Sequence, residues 1–348
     1  MTGHNERQNG QIKHTQTERD CQNGVQELAT EGVCNERQNG QKDTAHIKHT
    51  QTEGIHSENQ SAEIINHIGE KAVRQLLSKH NIYPKKNFGQ NFLTDRRVVE
   101  KIIKAADIRQ DEIVIEIGPG LGALTAAIAH KAAKVVAIEI DSRLVPILRE
   151  NIESIGNAEN TEIICQDILK TNLDTILGDC DSKKIKVLAN LPYYITTPII
   201  FKFLESHLPI QSMVLMVQKE VGQRMMALPK SKAYSALTVN LAYYAKISHV
   251  ANVPPNCFFP RPDVDSAVVK LDIYANPPVQ AANPIQLFSI IRAAFSMRRK
   301  TLQNCFLELG ISKETTAKAL QQLGLTEHTR GEELYLQDFA NLADLLLK

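Results

Sequence analysis

The chain has 348 residues, 43% of them hydrophobic and 23% charged, with a formal net charge of +1 at pH 7. That is long enough for one large domain and a smaller one, each with its own core. No stretch approaches the ~20 apolar residues a membrane span requires, and the N-terminus has neither the apolar run of a secretory signal nor the acid-poor composition of a transit peptide.

Six cysteines, at positions 21, 34, 165, 180, 257 and 305, lie far apart and in no metal-ligand spacing. Reduced thiols in a cytoplasmic protein are expected, with no disulfide framework and no bound metal. The charge is uneven. Residues 1–69 hold 6 Lys and Arg against 10 Asp and Glu, a net −4, and the rest hold 34 against 29, a net +5. A mildly basic body is compatible with a nucleic-acid partner.

Residues 1–60 contain no Phe, Trp or Tyr; the first aromatic is Tyr83. Polar residues dominate, too few apolar groups are present to offset ordering entropy, and disorder is expected. The segment repeats itself. Asn5–Gln11 and Asn35–Gln41 both read NERQNGQ, and Ile12–Glu18 and Ile47–Glu53 both read IKHTQTE. Without an apolar face such repeats cannot stack as a solenoid.

From about Ser61 the pattern is that of a folded protein. A helix is predicted over Ala62–His80, then the basic turn Pro84-Lys85-Lys86. Strand and helix then alternate: strand Ile113–Ile117, helix Leu121–His130, strand Val135–Ile140, helix Ser142–Ser154, and strands at Thr161–Cys165, Ile185–Ala189 and Met213–Val217. This order predicts a parallel sheet with helices on both faces. Ala245–Val253 and Ser266–Ile273 read as an antiparallel pair. After Asn276-Pro277-Pro278 only helices are predicted. The expected organisation is an extension over 1–60, an α/β domain over 61–276 and a helical domain over 277–348.

Glu116-Ile117-Gly118-Pro119-Gly120-Leu121-Gly122 sits where the first strand of the alternating series meets its helix, the crevice where open α/β sheets bind ligands. Glycine there lets the backbone turn tightly and approach a ligand. Glu139 closes the next strand, 21 residues after Gly118, and can accept from both hydroxyls of a ribose. Asp167, after the third strand, can accept from an adenine amino group; taken alone it equally fits the N-cap of a turn. Acids without nearby bases suit S-adenosylmethionine, whose sulfonium is a cation, better than NAD.

Asn190-Leu191-Pro192-Tyr193 follows the fourth of these strands. The exocyclic amine of adenine is a poor nucleophile because its lone pair is delocalised into the ring. Two acceptors, the Asn190 side-chain oxygen and the Leu191 carbonyl, can draw its N–H groups out of plane and free that lone pair. The Tyr193 ring can stack on the base, and Pro192 stiffens the turn.

In order along the chain, Phe88–Leu93 (FGQNFL), Glu116–Gly122, Glu139, Asp167, Asn190–Tyr193, Gln218-Lys219-Glu220, Phe258–Ser266 (FFPRPDVDS), Ala294-Phe295 and Arg298-Arg299-Lys300 resemble the ribosomal RNA adenine dimethyltransferases. The resemblance runs from about Asn87 to the C-terminus. It implies a Rossmann-like class I methyltransferase with a mostly parallel seven-stranded sheet plus a small C-terminal all-helical domain. It also implies S-adenosyl-L-methionine as cofactor and N6 dimethylation of two adjacent adenines near the 3′ end of small-subunit rRNA.

By the same resemblance Asn91, Leu93, Gly118, Glu139, Asp167 and Asn190 contact the cofactor, Phe258 stacks on a flipped adenine opposite Tyr193, and Arg298–Lys300 meets RNA phosphates. The implied setting is a monomer acting on a pre-small-subunit particle, away from membranes. Relatives that methylate a large-subunit adenine share the QNF, NLPY and glycine motifs; the runs Pro260–Val269 and Ala294–Thr301 look more like the small-subunit group. A non-catalytic RNA-binding assembly factor on the same fold is the alternative of a different class.

Overall fold

The structure, a computed structural model, describes residues 69–85, 89–177, 184–192 and 195–347. The repetitive extension over 1–60, the first part of the helix expected over Ala62–His80, and Lys86, Phe88 and Tyr193 lie outside them.

The chain enters on α1 (Glu70–Lys79) and a two-residue strand, β1 (Phe92–Leu93). Helix α2 (Arg96–Ala106) follows, its start capped by the Asp95 carboxylate accepting from Arg97 N. Its buried residues Val98, Val99, Ile102, Ile103 and Ala106 recur at helical spacing and make one apolar stripe.

The alternating region follows: β2 (Ile113–Ile117), α3 (Ala123–Ala129), β3 (Lys134–Glu139), α4 (Val145–Ser154), β4 (Thr161–Cys165), α5 (Leu173–Leu177), β5 (Ile185–Asn190), α6 (Thr196–Leu204) and β6 (Ile210–Gln218). Then come α7 (Lys219–Met225), α8 (Ala236–Tyr244), β7 (Ala245–Val253), a second two-residue strand β8 (Phe258–Phe259), and β9 (Ser266–Ile273). The last helices are α9 (Pro284–Ser296), α10 (Leu302–Cys305), α11 (Lys313–Gln322) and α12 (Leu336–Leu346).

Seven strands form one sheet in the order β4-β3-β2-β5-β6-β9-β7. The pairs from β4 to β6 are parallel, and β9 runs antiparallel to both neighbours. The chain moves outward from β2 to β3 and β4, then returns to lay β5 on the other side of β2. That reversal opens a crevice above β2 and β5. Strand β2 is buried at every residue, as a strand covered on both faces must be. The predicted pair β7–β9 is present, with Ala245 opposite Ile273 and a register shift between His249 and Ala251.

The differences from the predicted elements have local causes. Helix α3 starts at Ala123 because Gly122, its N-cap, is left-handed at φ 88°. A Cβ on Gly122 would also lie 2.8 Å from Leu148 Cδ1. Helix α4 starts at Val145 because residues 141–144 form a turn, with Leu144 N donating to Asp141 O. Strand β5 extends to Asn190, so the sheet itself holds that residue. Helix α8 (ALTVNLAYY) carries apolar residues on all sides and no helical stripe; it forms because five of its residues are buried.

The small pair β1–β8, with Phe92 opposite Phe259 and Leu93 opposite Phe258, fastens the opening motif to the FFPRP segment. Around the C-terminal helices, Leu287, Ile291, Phe306, Leu320 and Phe339 form a separate core. Tyr234, Val239 and Tyr243 join it, and the Tyr234 hydroxyl donates to Leu334 O at 2.7 Å. The packing therefore reaches back across Pro277. No helix among the described residues is long and apolar enough to cross a membrane.

Candidate active site

A cavity opens above β2 and β5. Its floor is the loop from Gly118 to Gly122, its roof the segment Gly89–Leu93, and its walls include Glu116, Glu139, Ile140 and Met216. Gly118, Gly120 and Gly122 all have left-handed φ, at 68°, 59° and 88°. A Cβ on Gly120 would come within 3.1 Å of the Phe92 ring, so glycine keeps floor and roof apart.

Glu139 is only 4% exposed. Gly120 N donates to its Oε2 at 3.0 Å and Asp141 N to its Oε1 at 2.9 Å. Burial raises its pKa, and the charge of Asp141 adds to the rise. The two backbone donors oppose that rise and aim the carboxylate. Asp141 is held down to about 2, first by the Arg143 guanidinium, which reaches it at 2.9 and 2.6 Å.

Asn190 Nδ2 donates to Asn91 O at 3.0 Å. Only the amide NH2 can donate to a carbonyl, so the orientation of this side chain is determined and Oδ1 is its acceptor. Leu191 is buried, with its N donating to Met216 O at 3.3 Å. Ile195 N donates to Pro192 O at 3.2 Å.

The structure thus brings Asn91, Leu93, Gly118, Glu139, Asn190 and Leu191 to one cavity. Asp167 and Phe258 are not among its lining residues. The Asp167 carboxylate accepts from Leu169 N at 2.9 Å, the turn-capping arrangement its sequence context also allows. Phe258 is 1% exposed and packs with Leu93, Val98, Val99 and Val253, because the β1–β8 ladder turns it inward. To stack on a base its ring has to leave that core. The neighbouring Phe259 is the partly exposed ring, with the Arg74 guanidinium 4.1 Å from its centroid.

Among the lining residues that carry no expected role from the sequence are Gln90 in the roof and Glu116, Ile140 and Met216 in the walls. Glu116 and Gln90 stand inside motifs that are legible. Ile140 reads only as the end of a strand, yet it is 45% exposed at the cavity wall. Met216 reads only as a core strand residue.

The lining residues include two acids and, among the described residues, no Lys, Arg or His. Glu116 Oε2 is buried without a hydrogen-bond partner. The Glu139 carboxylate, a glycine floor and a lining without basic side chains fit a cationic nucleoside such as S-adenosylmethionine. Asn91, Leu93, Gly118 and Glu139 line this cavity and are the residues that could hold it.

Burial pushes the Glu116 carboxyl up to about 8, and the Glu139 charge adds to the shift. An unfolded glutamate ionises at about 4.3. Between these values the folded state holds the extra proton, so stability is full below the lower value and falls as pH rises through about 8. Glu116→Gln is expected to melt within about 1 kcal/mol of wild type at pH 5 and several degrees higher at pH 8, where the penalty it removes is on the order of 4–5 kcal/mol. Melts that keep the same difference at both pH values would show that Glu116 does not carry the shift.

Strand order, switch point and the glycine-floored cavity beside Glu139 together define a class I methyltransferase, an enzyme that uses S-adenosylmethionine. The model of the ribosomal RNA adenine dimethylase family matches residues 81–348, and the chain belongs to that family. The ribosomal RNA small subunit methyltransferase A of Lachnoclostridium phytofermentans is 46% identical over 280 residues, covering 79% of this chain and 96% of that protein. The protein of the same name from Bacillus pumilus is 43% identical over 282 residues, with the same coverage of 79% and 96%. The crystal structure of a dimethyladenosine transferase from Plasmodium falciparum superposes with a TM-score of 0.63 at 31% identity, over 72% of this chain and 95% of that one. That of the 23S rRNA methyltransferase ErmE gives 0.58 at 27% identity, over 74% and 100%.

Proposed function

We propose that the protein dimethylates N6 of two adjacent adenines near the 3′ end of small-subunit rRNA. It does so as a cytoplasmic monomer acting on a precursor of the small subunit. The observation that carries the chemistry is the Asn190 amide held by Asn91 O at 3.0 Å, with its oxygen left to accept.

When bound, S-adenosylmethionine supplies an electrophilic methyl group. Asn190 Oδ1 and Leu191 O accept the two N–H groups of the target amine and draw its nitrogen toward tetrahedral geometry. The lone pair would then be free to take the methyl group that the cofactor would give up as it becomes S-adenosylhomocysteine, and the methylated amine would lose a proton to solvent; in the second transfer one of the two acceptors would hold the single N–H that remains. No general base is needed before attack. Glu139 holds the ribose hydroxyls, and Asp167 accepts from the cofactor's adenine once its capping turn adjusts. Tyr193 stacks on the extruded base, which compensates part of the lost stacking; Phe258 takes the opposite face only if its ring first leaves the core in which it is buried.

Exposed Arg299 and Lys300, beside Arg298, supply phosphate contacts. Arg298 itself is tied to Glu332 at 3.5 Å and to Lys232 O, so it shapes the turn that presents the other two.

Two comparisons favour small-subunit RNA over the large-subunit alternative. The relatives named for the small subunit are 46% and 43% identical over most of the chain, and the 23S enzyme is 27% identical. The test is mass spectrometry of rRNA nucleosides after incubation with cofactor and either unmethylated small subunits or large-subunit RNA. Dimethyladenosine in the small-subunit reaction alone is expected; methyl transfer to the large-subunit RNA alone would overturn the choice.

A further inference from the structure

Gln90 stands between the two halves of the site. Its Nε2 donates to Asp141 Oδ2 at 2.8 Å, and its Oε1 accepts from Lys85 N at 2.8 Å. Both partners determine which end of the amide is which. Asp141 N in turn donates to Glu139 Oε1, and the carbonyl of the next residue, Asn91, accepts from Asn190 Nδ2. The ribose acid and the amine-activating amide are therefore joined through residues 90 and 91, although positions 139 and 190 sit on different strands.

We propose that Gln90 is a positioning residue that holds Glu139 and Asn190 in register by clamping the roof segment to Asp141. This rests on the roles given above to Glu139 and Asn190. Without the clamp, the Gly89–Asn91 end of the roof, which precedes the β1–β8 ladder, is free to shift from the β3–α4 turn. The Asn91 carbonyl moves with it, and Asn190 loses the bond that orients its oxygen. Cofactor affinity and methyl transfer then fall together, because one contact supports both.

The charged groups facing position 90 are Asp141, its partner Arg143 on the same turn, and Glu139 two residues before Asp141. Among the described residues of the roof side, the Lys85 backbone N–H meets it. Arg143 keeps Asp141 ionised well below neutral pH. In Gln90→Glu, the new carboxylate therefore faces a fixed negative charge when ionised and can donate to it when protonated.

The test measures binding of S-adenosylhomocysteine by calorimetry and methyl transfer to small subunits, on the full chain, between pH 6 and 9. For Gln90→Glu, a loss of about 10-fold or more in both is expected at pH 9, shrinking to within about 3-fold of wild type at pH 6. Adding Asp141→Asn restores the pH 9 activity. The amide it introduces can donate to the ionised carboxylate at position 90 while its Oδ1 still accepts from Arg143 Nε, and Arg143 Nη2, which loses Oδ2 as its acceptor, can turn to the new carboxylate. A defect that is the same at every pH, or that a folded Gln90→Glu/Asp141→Asn protein does not repair, overturns the proposal. Failure of the underlying site reading shows differently: Glu139→Ala would then bind S-adenosylhomocysteine like wild type, and Asn190→Ala would methylate like wild type.

Discussion

Asn190→Ala is expected to slow methyl transfer by about 10²–10³-fold, the usual cost of removing one preorganised hydrogen-bonding group from a site where charge develops. The side chain has one job in the reaction, accepting an N–H of the target amine. It also has one anchor, the donation to Asn91 O at 3.0 Å. Alanine removes both. RNA affinity should change little, because the phosphate contacts lie elsewhere.

Asn190→Asp separates the two functions. It keeps an acceptor but has no N–H for Asn91 O, and its carboxylate would face that carbonyl; a loss comparable to that of alanine is expected. Single-turnover transfer of labelled methyl groups, with gel shifts of the same variants, reads both quantities. A wild-type rate in Asn190→Ala would reject the mechanism.

Glu139→Ala is expected to weaken S-adenosylhomocysteine binding by about 10²-fold or more, from hydrogen bonds to a charged group worth roughly 1.5–3 kcal/mol each. The variant loses the acceptor for the ribose and also leaves Gly120 N and Asp141 N without the oxygens they now meet. The floor loop and the β3–α4 turn would loosen together. Calorimetry gives the affinity, and the rate at saturating cofactor should stay within a few-fold of wild type. A large fall in that saturating rate with unchanged affinity would place Glu139 in the chemistry instead.

Much of this site is legible in the chain. Glycine at 118, 120 and 122 announces left-handed backbone, and φ is positive at all three. Strands Ile113–Ile117, Thr161–Cys165, Ala245–Val253 and Ser266–Ile273 stand where runs of apolar or alternating residues predict them. These features depend on steric freedom and side-chain period over a few residues. Helix α8 is different. Its composition carries no helical stripe, and burial between the sheet and the C-terminal helices decides its conformation.

The acids show the same division. Glu116, Glu139 and Asp167 are chemically alike, and each stands at or near the end of a strand. Packing gives Glu116 a buried, unpaired oxygen, gives Glu139 two backbone donors, and leaves Asp167 capping a turn outside the cavity. Phe258 and Phe259 are adjacent and identical, yet one is buried in the core and the other is partly exposed.

Residue chemistry and chain order were enough to set the succession of motifs, the class of cofactor and the residue types that could activate an amine. Each of those follows from local chemistry: what a glycine permits, what a carboxylate attracts, what an amide accepts. Which groups meet was settled by the packing instead. Gln90 reaches Asp141 across 51 positions and Asn190 reaches Asn91 across 99. No periodicity reports contacts at such separations, because they depend on how the sheet reverses direction at β2 and β5.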